Sequence, residues 1–286
     1  MAMAMAMAMA RSAARGVARL HGRAASYNGP MEKGAGMDAG ITDVYEARSA
    51  LAKLFADHKR VVFFGGAGVS TASGIPDFRS VDGLYHQQFP YPPETMLSHS
   101  FYEMHRAEFF EFYRTKMIAP DARPNQAHRK LAELEAEGPL RSVVTQNIDG
   151  LHQMAGSKRV WELHGSVHRN VCQRCGATYD ASWIMAREHE DSRGIPVCPS
   201  CGGDIKPDVV LYEEPLDERV MEGALRDISQ ADALVIGGTS LVVYPAAGLV
   251  RYFQGDRLAI VNRDATPQDG AADLLISCDI AEAFAF

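Results

Sequence analysis

Several features are scarce in this chain of 286 residues, and each scarcity excludes something. No uninterrupted apolar run reaches the roughly 18 residues that a membrane-crossing helix needs, so no membrane span is expected. Positive charge is in deficit, with 29 Lys and Arg against 36 Asp and Glu and a formal net charge of −7. Nucleic-acid binding relies on basic surface to displace counterions from phosphates. A general nucleic-acid binder is therefore not expected, and basic partners such as lysine-rich peptides fit better. Cysteine occurs only five times, and four of the five form two Cys-x-x-Cys pairs. In a chain of this size that pattern reads as metal binding more readily than as a disulfide framework. No internal repeat is evident, and the length suits one large domain or a large domain carrying a smaller one.

Acidic residues are absent before Glu32. Residues 1–10 alternate Met and Ala, and Arg11, Arg15, Arg19 and Arg23 come next among Ala and Ser. The arginine-rich stretch resembles a transit peptide; the competing view is a disordered extension or an upstream start, and disorder is the favoured reading. Residues 1–40 are accordingly set apart as a disordered or targeting extension. A cytoplasmic location is expected, with the mitochondrion as the alternative if the start is a transit peptide.

Beyond residue 40 the chain alternates helical and strand patterns. A helix is expected from Thr42 to about Asp57, with Ala47, Leu51, Leu54 and Phe55 on one face. Val61–Phe64 reads as a buried strand ending at Gly65 and Gly66. Residues 80–98 are rich in aromatics and proline and suit a cover more than a helix interior. Helical patterns resume near Phe101 and over Asn125–Glu137, where Gly138 marks an end. Val143 and Val144 lead into Thr145-Gln146-Asn147-Ile148-Asp149, and Val160–Leu163 leads into His164-Gly165. Ala233–Ile236 runs into Gly237-Gly238-Thr239-Ser240, and Leu258–Val261 into Asn262. Strands that end in polar residues, with helices between them, are the pattern of a doubly wound, Rossmann-like α/β sheet, which binds ligands at those ends.

Cys172-x-x-Cys175 and Cys198-x-x-Cys201 are separated by 22 residues, with Gly176, Gly202 and Gly203 just after each pair as tight knuckles require. Four thiolates make a closed tetrahedral site with no position for activating water, so a structural Zn²⁺ is expected. The remaining cysteine, Cys278, reads as a small buried apolar residue.

The glycine-rich stretch is the chemical centre. In Gly66-Ala67-Gly68 the absence of side chains lets backbone approach a ligand, and Ser70, Thr71 and Ser73 supply hydroxyls where a helix is expected to start. Such a corner suits phosphate. The dinucleotide fingerprint is nevertheless incomplete, because Thr71 occupies its sixth position and no acidic residue stands at a strand end about twenty residues on. The stretch continues as Gly74-Ile75-Pro76-Asp77-Phe78-Arg79. With GAG-x-S and GIPDFR both present, the chain resembles the sirtuins, NAD-dependent protein-lysine deacylases, over roughly residues 42–286.

That resemblance implies roles that the residues alone leave open. Asn147 and Asp149 taken alone are turn formers, Thr239 and Ser240 could cap a helix, and His164 is one of ten histidines. In the family, TQNID holds the nicotinamide end of NAD: Asn147 would orient the ribose and a water, and Asp149 would accept from the nicotinamide amide. The His-Gly after the strand is the general base, which assigns His164. Gly66, Ala67, Gly68, Thr71, Asp77, Phe78, Arg79, Gln146 and Ile148 would complete the pocket, with Gly238, Thr239 and Ser240 on phosphate and ribose. Asn262, Asp279 and Ile280 would take the adenosine end. Val209, Val210 and Leu211 would pair with an acetyl-lysine peptide as an added strand. The implied catalytic domain spans 41–286, with a zinc-binding insert over about 165–207. The implied reaction yields free lysine, nicotinamide and O-acetyl-ADP-ribose through an alkylimidate.

Three departures from the family pattern bear on activity. Gly65 stands where Thr is usual, and Glu213 stands where the peptide loop usually has glycine. The alignment also puts Phe110 and Tyr113 where succinyl-preferring members carry a Tyr and an Arg, with Arg114 adjacent. Without a guanidinium, an acidic acyl group would be buried unpaired, so neutral acyl groups are expected, acetyl first. Two alternatives remain: an NAD-dependent protein ADP-ribosyltransferase, and a non-catalytic NAD-sensing interaction protein disabled at Gly65 and Glu213.

Overall fold

The computed structural model describes residues 40–77 and 89–286. Helix α1 (Val44–Asp57) starts where the Asp43 carboxylate accepts from Glu46 N, and it buries Ala47, Leu51, Leu54 and Phe55, the expected face. Strand β1 (Val61–Gly65) is wholly buried. Short helices α2 (Pro93–Met96), α3 (His99–Met104) and α4 (Arg106–Phe112) come next, and α4 runs into a π-helical turn over Tyr113–Met117. Helix α5 (Gln126–Glu137) is closed at one end by a capping box between Asn125 and His128 and at the other by Gly138 at φ 108°. Then come β2 (Leu140–Thr145), α6 (Leu151–Ala155) and β3 (Val160–Glu162).

The next segment holds β4 (Gly165–Cys172), β5 (Thr178–Tyr179), α7 (Ala181–Met185) and β6 (Ile205–Val209). After it the chain returns through α8 (Glu218–Gln230), β7 (Ala233–Gly237), β8 (Arg257–Val261), β9 (Leu274–Ile276) and α9 (Ile280–Ala283).

Six strands form one parallel sheet in the order β3-β2-β1-β7-β8-β9, which is the doubly wound arrangement. Alternation along each strand feeds two cores. Val61 and Phe63 face α1, α5 and α9, while Val62 and Phe64 face α8. A separate antiparallel sheet, β5-β4-β6, has its own core. Phe101, Tyr102, Phe109, Phe110 and Tyr113 of the 93–117 helices share that core, a partnership that the sequence pattern does not announce. Among the described residues, no helix is long and apolar enough to cross a membrane.

One expectation is corrected. No α-helix begins at Ser70–Ser73; the chain makes two 3₁₀ turns, Ala67–Val69 and Thr71–Ser73, and stops at Gly74 with φ 83°. Left-handed Gly74 ends the turn, and Pro76 steers Ile75 away from helical backbone. No helix dipole therefore stands behind this loop.

Candidate functional site

The parallel order changes direction between β1 and β7, and their C-terminal ends open the crevice where such sheets bind ligands. Two loops meet there. Gly68 N donates to Gly238 O at 2.8 Å and Gly66 N to Gly237 O at 3.3 Å. A Cβ on Gly66 would stand 2.8 Å from Thr239 Cβ, and one on Gly68 would stand 2.8 Å from Gly238 Cα. These glycines are thus required by loop against loop, before any ligand enters. Thr71 Oγ1 donates to Gly68 O at 3.0 Å. Ala67 is half-buried in the turn between the two glycines.

Thr239 caps no helix. Its N–H donates to Asn262 Oδ1 and its carbonyl accepts from Asn262 Nδ2, both at 3.0 Å, while its hydroxyl accepts from Gln146 Nε2 at 3.0 Å. Three strand ends are thereby tied together, and Ser240 beside them is exposed. At the far end, the Asp279 carboxylate is occupied in capping α9, and the Ile280 side chain lies in the core beneath Gly237. Both side chains are thus committed to the fold, which leaves their backbone for a ligand. Asp77 is half-buried, while Phe78, Arg79 and residues 80–88 of the stretch expected to form a cover lie outside the described residues.

Sequence reasoning missed the hub of the site. Ser70 Oγ donates to Asp149 Oδ2 at 2.6 Å and accepts from Asn147 Nδ2 at 3.1 Å. One hydroxyl therefore fixes both Asn147 and Asp149 of the TQNID turn. Burial pushes the Asp149 carboxyl up, against the lowering bonds from Ser70 and from Leu151 N. Behind Ser70 stands His128, with Nε2 at 3.5 Å, its pKa pushed down to about 4 by burial. Asn125 holds the same loop through bonds to Val69 O at 2.7 Å and Ser73 Oγ at 3.0 Å. The GAG-x-S motif contains Ser70, but its partners lie far along the chain, so only the fold reveals the role. Ile148 is half-buried and its carbonyl accepts from Val167 N at 3.0 Å, joining this turn to β4.

His164 sits between β3 and β4. Its Nδ1 lies 2.9 Å from Gln146 O, and since a carbonyl only accepts, Nδ1 carries the proton and Nε2 keeps a free lone pair. Burial lowers its pKa, against the opposing backbone bond, so the imidazole is held neutral. The glycine that comes next has a steric cause: Gly165 adopts φ 75°, and a Cβ there would overlap Asp208 O. Val210 N donates to His164 O at 3.0 Å. Val209 pairs with Gly165, and Leu211 is buried.

The four paired cysteines converge, with all Sγ atoms within 4.8 Å of one another. Sγ separations are 3.5 Å for Cys172 and Cys201 and 3.6 Å for Cys175 and Cys198. Tetrahedral zinc with bonds of about 2.3 Å needs sulfurs roughly 3.8 Å apart, so the donor set fits the ion. Gly176 N and Gly202 N close the two knuckles onto Cys172 O and Cys198 O. Cys278 packs against the main core but is half-buried where a buried residue was expected.

Both loop departures are accommodated. A Cβ on Gly65 would stand 2.7 Å from Phe63 Cε1, so the phenyl ring fills the space that a larger residue would need. Glu213 holds the left-handed φ of 79° that glycine normally serves, with its carboxylate accepting from Ser100 N at 2.9 Å. Phe110 and Tyr113 are fully buried. Arg114 is buried, with Nε donating to Ile184 O and Nη1 pairing with Glu190 at 2.8 Å, while Nη2 has no partner among the described residues.

Comparison with known proteins gives a consistent result. The Sir2 family model matches residues 66–245. An NAD-dependent protein deacetylase of Clostridium acetobutylicum is 56% identical over 234 residues, covering 81% of this chain and 94% of that protein. One from Cutibacterium acnes is 56% identical over 228 residues, covering 79% and 91%. Among solved structures, a Sir2 complex with a deacetylated p53 peptide and 3′-O-acetyl-ADP-ribose has a TM-score of 0.74 at 38% identity, covering 82% of this chain and 95% of that one. A Sir2Tm complex with a propionylated peptide has a TM-score of 0.72 at 37% identity, covering 82% and 94%.

Proposed function

The chain belongs to the Sir2 family, and from the neutral, crevice-end imidazole of His164 we infer how its site performs NAD-dependent protein deacetylation. The protein is an NAD-dependent protein-lysine deacetylase that uses NAD as co-substrate, and its cluster of four cysteines suits a structural zinc. Acetyl-lysine, NAD and water give free lysine, nicotinamide and O-acetyl-ADP-ribose.

Each residue role has its support in the geometry. His164 accepts a ribose-hydroxyl proton at Nε2, because Nδ1 is committed to Gln146 O. Asn147 and Asp149, oriented by Ser70, face the nicotinamide and its ribose. Gly66, Ala67, Gly68, Thr71, Gly238, Thr239 and Ser240 line the phosphates, and Asn262, Asp279 and Ile280 offer backbone to the adenosine. Val209, Val210 and Leu211 form the edge offered to the acyl-lysine peptide, and since Leu211 N–H and O are both bonded to Glu214, the main-chain pairing falls to Val209 and Val210. Residues 41–286 act as one catalytic unit, with the zinc-bearing insert over about 165–207.

Neutral acyl groups are the substrates, acetyl first. The two aligned positions, Phe110 and Tyr113, carry no positive charge, and the neighbouring Arg114 is held by Ile184 O through Nε and by Glu190 through Nη1, with Nη2 alone unbonded among the described residues. Succinyl-peptide turnover equal to acetyl turnover would overturn this assignment. Thiolate clusters persist where thiols stay reduced, which favours the cytoplasm, with the mitochondrial matrix as the alternative if the arginine-rich start is cleaved. N-terminal sequencing of the mature protein decides between them.

A further inference from the structure

The peptide-pairing segment ends in a loop where this chain carries two carboxylates in succession, Glu213 and Glu214. Glu213 sits at φ 79°, backbone that an L side chain disfavours. It is held there by Ser100, whose N–H donates at 2.9 Å and whose hydroxyl lies 2.7 and 2.6 Å from the two carboxylate oxygens. Those bonds hold the Glu213 carboxyl below the usual range, so it stays ionised. Ser100 lies in the first turn of α3, where backbone N–H groups lack helical partners, so a carboxylate there is well matched.

Glu214 fastens the same loop from the other side. Its Oε1 lies 2.8 Å from His99 Nδ1, and its Oε2 accepts from Leu211 N at 2.9 Å and from Lys206 Nζ at 3.0 Å. Backbone bonds complete the joint, with Tyr212 N to Leu97 O and His99 N to Tyr212 O, both 3.0 Å. Val210, two residues before Tyr212, is bonded to His164 O.

We propose that Glu213 is a positioning residue for the acyl-lysine peptide: by anchoring its strained backbone to the first turn of α3, it fixes the register of Val209–Leu211 against His164. The inference rests on the deacetylase reading above. It assigns the glutamate a purpose that a bare glycine cannot serve, since glycine tolerates the φ but supplies no anchor.

The order of variants separates anchoring from charge and from backbone freedom. Glu213→Ala keeps the strain and loses the anchor, so its peptide KM rises by roughly five- to tenfold, while kcat and the KM for NAD stay within about twofold. Glu213→Gly loses the anchor without strain and shows a smaller rise. Glu213→Gln retains an acceptor for Ser100 and stays within about twofold of the parent. Glu213→Ala with Ser100→Ala is no worse than Glu213→Ala alone. Fluorescence anisotropy with a labelled acetyl-lysine peptide reads the same order as Kd, independently of turnover. An unchanged peptide KM and Kd in both Ala and Gly variants would overturn the proposal, as would Gln behaving like Ala. Parent protein that binds the peptide but does not deacetylate it would contradict the deacetylase reading alone. Failure to bind the peptide at all would contradict both.

Discussion

The amide of Val210 donates to the carbonyl oxygen of His164 at 3.0 Å, so the segment assigned to the peptide and the assigned base share a hydrogen bond. Register in one is therefore transmitted to the other. A Cβ on Gly165 would overlap Asp208 O, so this joint admits only glycine.

His164 is expected to be indispensable. Replacing it with Ala removes the proton acceptor and lowers kcat/KM by at least about a hundredfold, read by nicotinamide release. The parent's pH profile carries the second test. Burial lowers the pKa below the ordinary 6.5, so the neutral base persists as pH falls through 6.5 and is lost only below it. An acid-limb midpoint at or above 6.5 would contradict the assignment.

Ser70→Ala should leave the fold intact and the TQNID turn poorly oriented. Asn147 Nδ2 and Asp149 Oδ2 each lose a buried partner, and kcat/KM falls roughly ten- to a hundredfold. Parent-like nicotinamide release from this variant would show that the hydroxyl does not orient the turn.

Elemental analysis should find one zinc per chain. Cys175→Ala leaves three thiolates, and that variant or chelation should lower the melting temperature of the small lobe and abolish peptide binding. Full activity in zinc-free protein would contradict a structural metal.

Much of this arrangement is legible in the sequence, for physical reasons. Buried parallel strands read as uninterrupted apolar runs, so Val61–Phe64 and Ala233–Ile236 and the polar residues after them stand out. The cysteine spacing likewise implies its own geometry. Ser70 is different, because its value lies in contacts to Asn147 and Asp149, which no local pattern encodes. The helix expected at Ser70 fails for a local reason that was present in the sequence, Gly74 followed by Ile75-Pro76. Nor does composition reveal that Tyr102 and Phe109 share a core with Cys172 and Cys198, since only tertiary packing joins them.

Asp227 offers a stability test. Its fully buried carboxylate accepts twice from Arg159 at 2.7 Å and once from Trp161 Nε1 at 2.7 Å, joining α8 to the β3 edge of the sheet. Asp227→Ala leaves the Trp161 donor unpaired and the part-exposed Arg159 to solvent, and should cost about 1–3 kcal/mol in denaturant unfolding. A loss under about 1 kcal/mol would show that the cluster is solvated and weak.

The central claim is tested most directly by mass spectrometry of an acetyl-lysine peptide incubated with the purified protein, with and without NAD. Loss of the acetyl mass only when NAD is present, with O-acetyl-ADP-ribose appearing in step, is the expected result. An unchanged peptide, or a peptide that gains the mass of ADP-ribose in place of losing acetyl, would contradict it.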